Sequence, residues 1–138
     1  MSAVNKSAWV VDDDEDHIQP LQIMLKDLGY DCKIYASSTE IKDDITNGFT
    51  PDLLLIDVHL PDNNALDLIS FIRDNELLDD PPIIVLDDDF SEESEYAIQI
   101  GADDELTFPM IIQELETAIA NANERRNLEE IIEDEEEF

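Results

Sequence analysis

Residues 51–62 read Pro-Asp-Leu-Leu-Leu-Ile-Asp-Val-His-Leu-Pro-Asp. The uninterrupted apolar run from Leu53 to Ile56 is the pattern of a strand covered on both faces, since a strand with one wet face would alternate with polar residues. Asp57 stands at its end, and Pro61 with Asp62 marks a loop. The same order repeats in both directions. Ala8 to Val11 runs into Asp12 and Asp13, and Ile83 to Leu86 runs into Asp87, Asp88 and Asp89. Helix-length segments separate these runs. Ile18, Leu21, Ile23, Met24, Leu25 and Leu28 form an apolar stripe from about Asp16 to Gly29, with Pro20 read in the first turn. Ala65 to Ile72 supplies another helix, and Ser91 to Ile100 a third, closed by Gly101. Cys32 to Tyr35 reads as a strand, Ser38 as the cap of a polar helix reaching about Asn47, and Glu105 to Thr107 as a short last strand. The final helix starts after Pro109, with Ile111, Ile112, Leu115, Ala118, Ile119 and Ala122 facing the sheet.

Five β-then-α units predict an α/β architecture: a doubly wound, five-stranded parallel sheet with helices on both faces and an extended last helix. In such folds the working site lies beyond the carboxyl ends of the strands. Asp12 and Asp13 follow strand one, Asp57 ends strand three and Asp87 ends strand four, so these acids are expected at one edge. Residues 1–122 are read as the domain, and 123–138 as an acidic helical extension or tail. There Arg125 and Arg126 precede a second apolar set, Leu128, Ile131 and Ile132, and then Glu133 to Glu137. Its functional alternative is a dimerising or partner-binding helix.

The 138 residues include 37 Asp plus Glu against 7 Lys plus Arg, a net charge of −30, while 43% hydrophobic content supports a core. So acidic a surface repels phosphate backbones and anionic headgroups, which argues against nucleic-acid and membrane partners. One cysteine, Cys32, excludes an intrachain disulfide. The N-terminus has no basic segment followed by an apolar core, and a cytoplasmic location is expected. The charge suggests a salt-loaded cytoplasm, the alternative being an acidic surface that serves solubility alone.

Convergent carboxylates with few nearby cations suit a hard divalent cation such as Mg²⁺, because oxygen ligands match it and unpaired charges otherwise repel. Val10 to Asp13, Gly29-Tyr30, Pro51 to Asp57 with Leu60-Pro61-Asp62, Pro82 to Leu86, Gly101-Ala102-Asp103-Asp104, and Leu106-Thr107 with Pro109 together resemble the response-regulator receiver domain of two-component signalling. The resemblance covers about residues 6 to 122 and implies a flavodoxin-like (CheY-like) fold. It makes Asp57 the phosphoryl acceptor, with Mg²⁺ as cofactor held by Asp12, Asp13, Asp57 and the backbone carbonyl of His59. The partners implied are a histidine kinase or phosphotransfer protein and a downstream protein target, with homodimerisation through the last strand and last two helices. The module is expected to signal rather than act as an enzyme.

Departures accompany the match. Receivers carry Ser or Thr after strand four, where this chain has Asp87, an added metal ligand in one reading. They carry Lys before the proline after strand five, where Phe108 stands, and an aromatic switch residue at the position of Glu105. His17 is read as a helix-surface residue, and the His59 imidazole as exposed beside the pocket. Two alternatives follow. One is a phosphorylation-independent pseudo-receiver that works through protein contacts. The other is a Mg²⁺-dependent phosphatase using Asp57 as nucleophile, which would want a second acid where His59 stands.

The charge density makes one prediction directly. The midpoint of thermal unfolding followed by circular dichroism should rise between dilute buffer and molar KCl, since screening shrinks to ~3 Å at about 1 M salt. An unchanged midpoint contradicts it.

Overall fold

The computed structural model describes residues 5–62, 64–74 and 80–136, with side chains through 132. Its sheet is built around β3 (Leu53–Asp57) and β4 (Ile83–Asp87), and every residue of both strands is buried. β1 (Lys6–Val11), β2 (Tyr30–Tyr35) and β5 (Asp104–Thr107) complete it in the order β2-β1-β3-β4-β5, all neighbours parallel. Five helices alternate with the strands: α1 (Glu15–Asp27), α2 (Ser38–Thr46), α3 (Ala65–Asp74), α4 (Glu92–Ile100) and α5 (Ile112–Glu136).

Side-chain alternation along the strands divides the core in two. Trp9, Val11, Leu54, Ile56, Ile83 and Val85 pack with Ile41, Leu68, Ile72 and Ala97 of α2, α3 and α4. Ala8, Val10, Leu53, Leu55, Ile84 and Leu86 pack with Leu21 and Leu25 of α1 and with Leu115, Ala118 and Ala122 of α5. The apolar runs are uninterrupted because each central strand feeds both cores.

Strand register sets the level of the acids. Val11 pairs with Ile56, Asp57 with Leu86, and Asp87 with Thr107. Asp12 therefore leaves β1 level with Asp57, and Phe108 leaves β5 one step beyond Asp87.

Several local expectations are corrected. Helix α1 begins at Glu15 because Asp14 caps it, its side chain accepting from the Asp16 amide at 2.9 Å, so Pro20 falls in the second turn. Ser38 is not the cap of α2. Ser37 takes that place without a side-chain bond, and the Ser38 hydroxyl donates to Asp62 Oδ2 at 2.8 Å. Ile111 is 59% exposed and does not face the sheet. Ser91 does cap α4, reciprocally with Ser94.

A cationic knot lies at the amino end of β5. Buried Asp103 meets Arg73 at 2.9 Å and Arg126 at 2.7 Å. Arg73 also donates to the carbonyls of Gly101 and Pro81, at 2.9 and 2.7 Å. Arg126 thus ties the middle of α5 to the domain, while Leu128, Ile131 and Ile132 beyond it are exposed. Gly101 has φ of +137°, and a β-carbon there would come within 2.7 Å of Arg73 Cγ. Among the described residues, no helix is long and apolar enough to cross a membrane.

Gly101→Ala should therefore destabilise the domain by about 1–3 kcal/mol through backbone strain and displacement of Arg73. A thermal melt should show a midpoint lowered by roughly 3–10 °C; an unmoved midpoint rejects the account.

Candidate functional site

Asp12 and Asp57 are brought together by register and buried by the loops above them. The Asp12 amide still donates to Tyr35 at 3.0 Å, as if β1 continued, and its side chain is fully buried. Asp12 Oδ1 accepts the Asp14 amide at 3.0 Å. Asp57 is 7% exposed, and its Oδ1 accepts the His59 amide at 2.8 Å. Burial raises the Asp57 pKa, the His59 amide partly opposes this, and the neighbouring Asp12 charge adds to it, leaving Asp57 pushed up to about 7. Two carboxylates in one dry pocket resist ionising together.

His17 is the residue misread from sequence. It belongs to the pocket and not to the outer helix surface: Nδ1 lies 3.1 Å from Asp12 Oδ2 and 3.9 Å from Asp57 Oδ2. With Asp14 as cap, His17 stands in the first turn of α1, just after the strand-end acid Asp12 and beside the buried stripe of Ile18 and Leu21. Phe108 holds the ring from the far side, stacked at 3.8 Å with 4° between planes. Burial lowers the His17 pKa, but the charges of Asp12, Asp14 and Asp88 outweigh it and the net shift is upward. Asp12, His17 and Asp57 each offer a ligand atom, all within 4.8 Å of one another.

Asp13 and Asp87 occupy different places. Asp13 is exposed at the rim. Asp87 is 4% exposed but already engaged: the Ser91 hydroxyl donates to Oδ2 at 2.5 Å, and His59 Nε2 lies 3.0 Å from Oδ1. The His59 side chain is 52% exposed above it. Asp87 stands outside the group formed by Asp12, His17 and Asp57. Glu105 is half-buried, and its Oε2 has no hydrogen-bond partner among the described residues. The peptide between Phe108 and Pro109 is cis.

Residues 8–120 match the family model described as "Response regulator receiver domain". The chain belongs to the response-regulator receiver family. As a receiver domain it is a component of two-component signalling. It is 31% identical to the phosphate regulon transcriptional regulatory protein PhoB of Pseudomonas aeruginosa, over 81% of this chain and 49% of that protein. It is 32% identical to the alkaline phosphatase synthesis transcriptional regulatory protein PhoP of Bacillus subtilis, over 84% and 48%. The chain thus spans about half the length of these curated relatives. Among solved structures, a response regulator receiver domain protein of Clostridium thermocellum superposes with a TM-score of 0.75 at 25% identity, covering 89% of this chain and 98% of that one.

The raised Asp57 pKa has a consequence for stability. Held above its ordinary value of 3.8, the group favours the fold at low pH, and that contribution is lost as pH rises through about 7. In metal-free buffer, Asp57→Asn should melt higher than the parent receiver at pH 8, by a few degrees for a relief of about 1 kcal/mol. The advantage should shrink to nothing towards pH 4. An equal difference at both pH values refutes a carboxylate strained by burial and by Asp12.

Proposed function

We propose that this receiver accepts a phosphoryl group on Asp57 Oδ2 from a histidine kinase or phosphotransfer protein. The observation that carries the reading is the division of labour at Asp57: Oδ1 is held by the His59 amide at 2.8 Å, while Oδ2 faces the pocket 3.9 Å from His17 Nδ1, beyond hydrogen-bond reach of the ring. Oδ2 attacks the phosphorus of a phosphohistidine. The new bond is Asp57 O–P, the P–N bond breaks, and the leaving imidazole keeps the electron pair and takes a proton.

The donor set fits a divalent cation. Two buried carboxylates lie with their oxygens in one cluster, and Asp57 is reluctant to ionise without a positive neighbour. Asp12, Asp13, Asp57 and the His59 carbonyl would hold Mg²⁺. Bound there, Mg²⁺ would supply the positive charge that keeps Asp57 ionised and offsets charge on the transferred group. Asp12 positions its carboxylate through the Asp14 amide, and His59 keeps Asp57 from rotating.

Asp87 and Phe108 favour a second reading, a pseudo-receiver. A phosphoaspartate adds about one negative charge, and a wrong-signed or missing neighbour at ~4 Å is worth up to ~4 kcal/mol at an effective dielectric near 20. Phe108 brings no cation, and Asp87 has the wrong sign. Against this, Ser91 and His59 already compensate Asp87, which favours the phosphorylated reading.

Output is proposed through protein contact at β5, α4 and α5, with a downstream target or a second copy. Tyr96 is exposed on α4, and Ile111 is exposed just before α5. PhoB and PhoP are named as transcriptional regulators; the acidic segment described here is proposed not to touch nucleic acid itself.

Incubation with Mg²⁺ and a small-molecule phosphodonor in high salt, followed by intact mass, is the test. The expected result is a gain of one phosphoryl group that Asp57→Asn lacks. No gain, with divalent binding intact, selects the pseudo-receiver. Multiple-turnover phosphate release selects a phosphatase.

A further inference from the structure

His17 makes the pocket something other than an all-oxygen cation site. Its ring plane is fixed by Phe108, and its side chain is 16% exposed. The inner nitrogen, Nδ1, faces Asp12 and Asp57. The outer nitrogen, Nε2, lies 3.2 Å from Asp88 Oδ1 and 3.5 Å from Asp14 Oδ2. Carboxylates that accept the Nε2 proton leave the Nδ1 lone pair directed into the pocket. This is how metal-binding imidazoles are oriented, with an acid behind the ring fixing tautomer and angle. A separate observation marks the same space: Asp57 Oδ2, on a side chain 9% exposed, lies 3.9 Å from Nδ1, too far for a hydrogen bond between them.

We propose that His17 Nδ1 is a direct ligand in this receiver's cation site. With Asp12 and Asp57 it forms a one-nitrogen, two-carboxylate set suited to a divalent transition ion of the Co²⁺, Ni²⁺ or Zn²⁺ class. The proposal rests on the reading of Asp12 and Asp57 as cation ligands. Mg²⁺ takes oxygen and gains nothing from imidazole, whereas the later first-row ions bind imidazole readily. Phe108 then has a positive role. Its phenyl ring supports the imidazole from one face, stacked at 3.8 Å. Phe108 and the inward His17 pack as one unit.

The test titrates the full chain with CoCl₂ and, separately, MgCl₂ in molar KCl, which screens the exposed acids, following heat and the Co²⁺ visible absorption. His17→Asn and Asp57→Asn are compared, each checked by thermal melt. His17→Asn should weaken Co²⁺ at least ~10-fold and alter its spectrum, the range for disturbing a metal-bound histidine. Mg²⁺ affinity should stay within about twofold, since magnesium seeks oxygen. Asp57→Asn should weaken both ions. Unchanged Co²⁺ binding in His17→Asn, with both ions lost in Asp57→Asn, overturns the His17 assignment and leaves the acid pocket standing. Both ions unchanged in Asp57→Asn removes the pocket reading itself. A measurement without variants adds to this: in ¹⁵N–¹H spectra of the parent chain, Zn²⁺ should move the His17 Nδ1 resonance, and an unmoved resonance refutes ligation.

Discussion

The constraint on which the site depends is electrostatic: Asp12 and Asp57 are forced level by a parallel register and closed off from water. Val11 opposite Ile56 leaves the two carboxyl groups no freedom to diverge along the sheet. Burial then penalises their ionised forms, and each penalises the other, which is why Asp57 is pushed up to about 7. Neighbouring groups of the receiver can be read as answers to that tension. Backbone amides of Asp14 and His59 each take one oxygen. His17 is drawn over the remaining two, and Phe108 holds it there.

The fold was legible because its signals are local and repeated. Leu53 to Ile56 and Ile83 to Leu86 could only be strands wet on neither face, and helices of apolar stripe between them leave few ways to connect a sheet. Edge acids were legible for the same reason: Asp57 and Asp87 end strands, Asp12 follows one directly, and parallel strands end on one side. The family's motifs added positions for the metal and the phosphoryl group that no periodicity could supply.

His17 was not legible, and the reason is physical. At ~100° per residue His17 lies on the flank of the buried stripe of Ile18, Leu21 and Leu25, about 40° from Leu21. A charged-looking residue beside the stripe reads as surface until the strand-end acids that it meets are placed in space. Its partner Phe108 is far away in sequence, so no local pattern couples them. Arg73 and Arg126 were hidden similarly. Arg126 looked like a charged break before the second apolar set of α5, yet Asp103 draws it back onto the domain. The sequence contained both partners, but only three-dimensional proximity made them a pair.

Charge compensation in this pocket follows a different plan from the one the family resemblance implies. A receiver with Lys after β5 places a permanent cation beside the acceptor, reached by a long stem. This chain places a flat aromatic there and brings its positively polarisable group from α1, on the other side of Asp12. Asp87 follows the same pattern, since this acid, standing where the resemblance implies a hydroxyl, is met by Ser91 at the cap of α4 and by His59 from the loop after β3. In both cases the compensating group sits on a different element from the substitution it answers. Loops after β1, β3 and β4 are thereby coupled through imidazole and carboxylate contacts. Asp57 stands where these contacts meet, with His17 reaching Asp88 on one side and the His59 amide on the other, its ring facing Asp87.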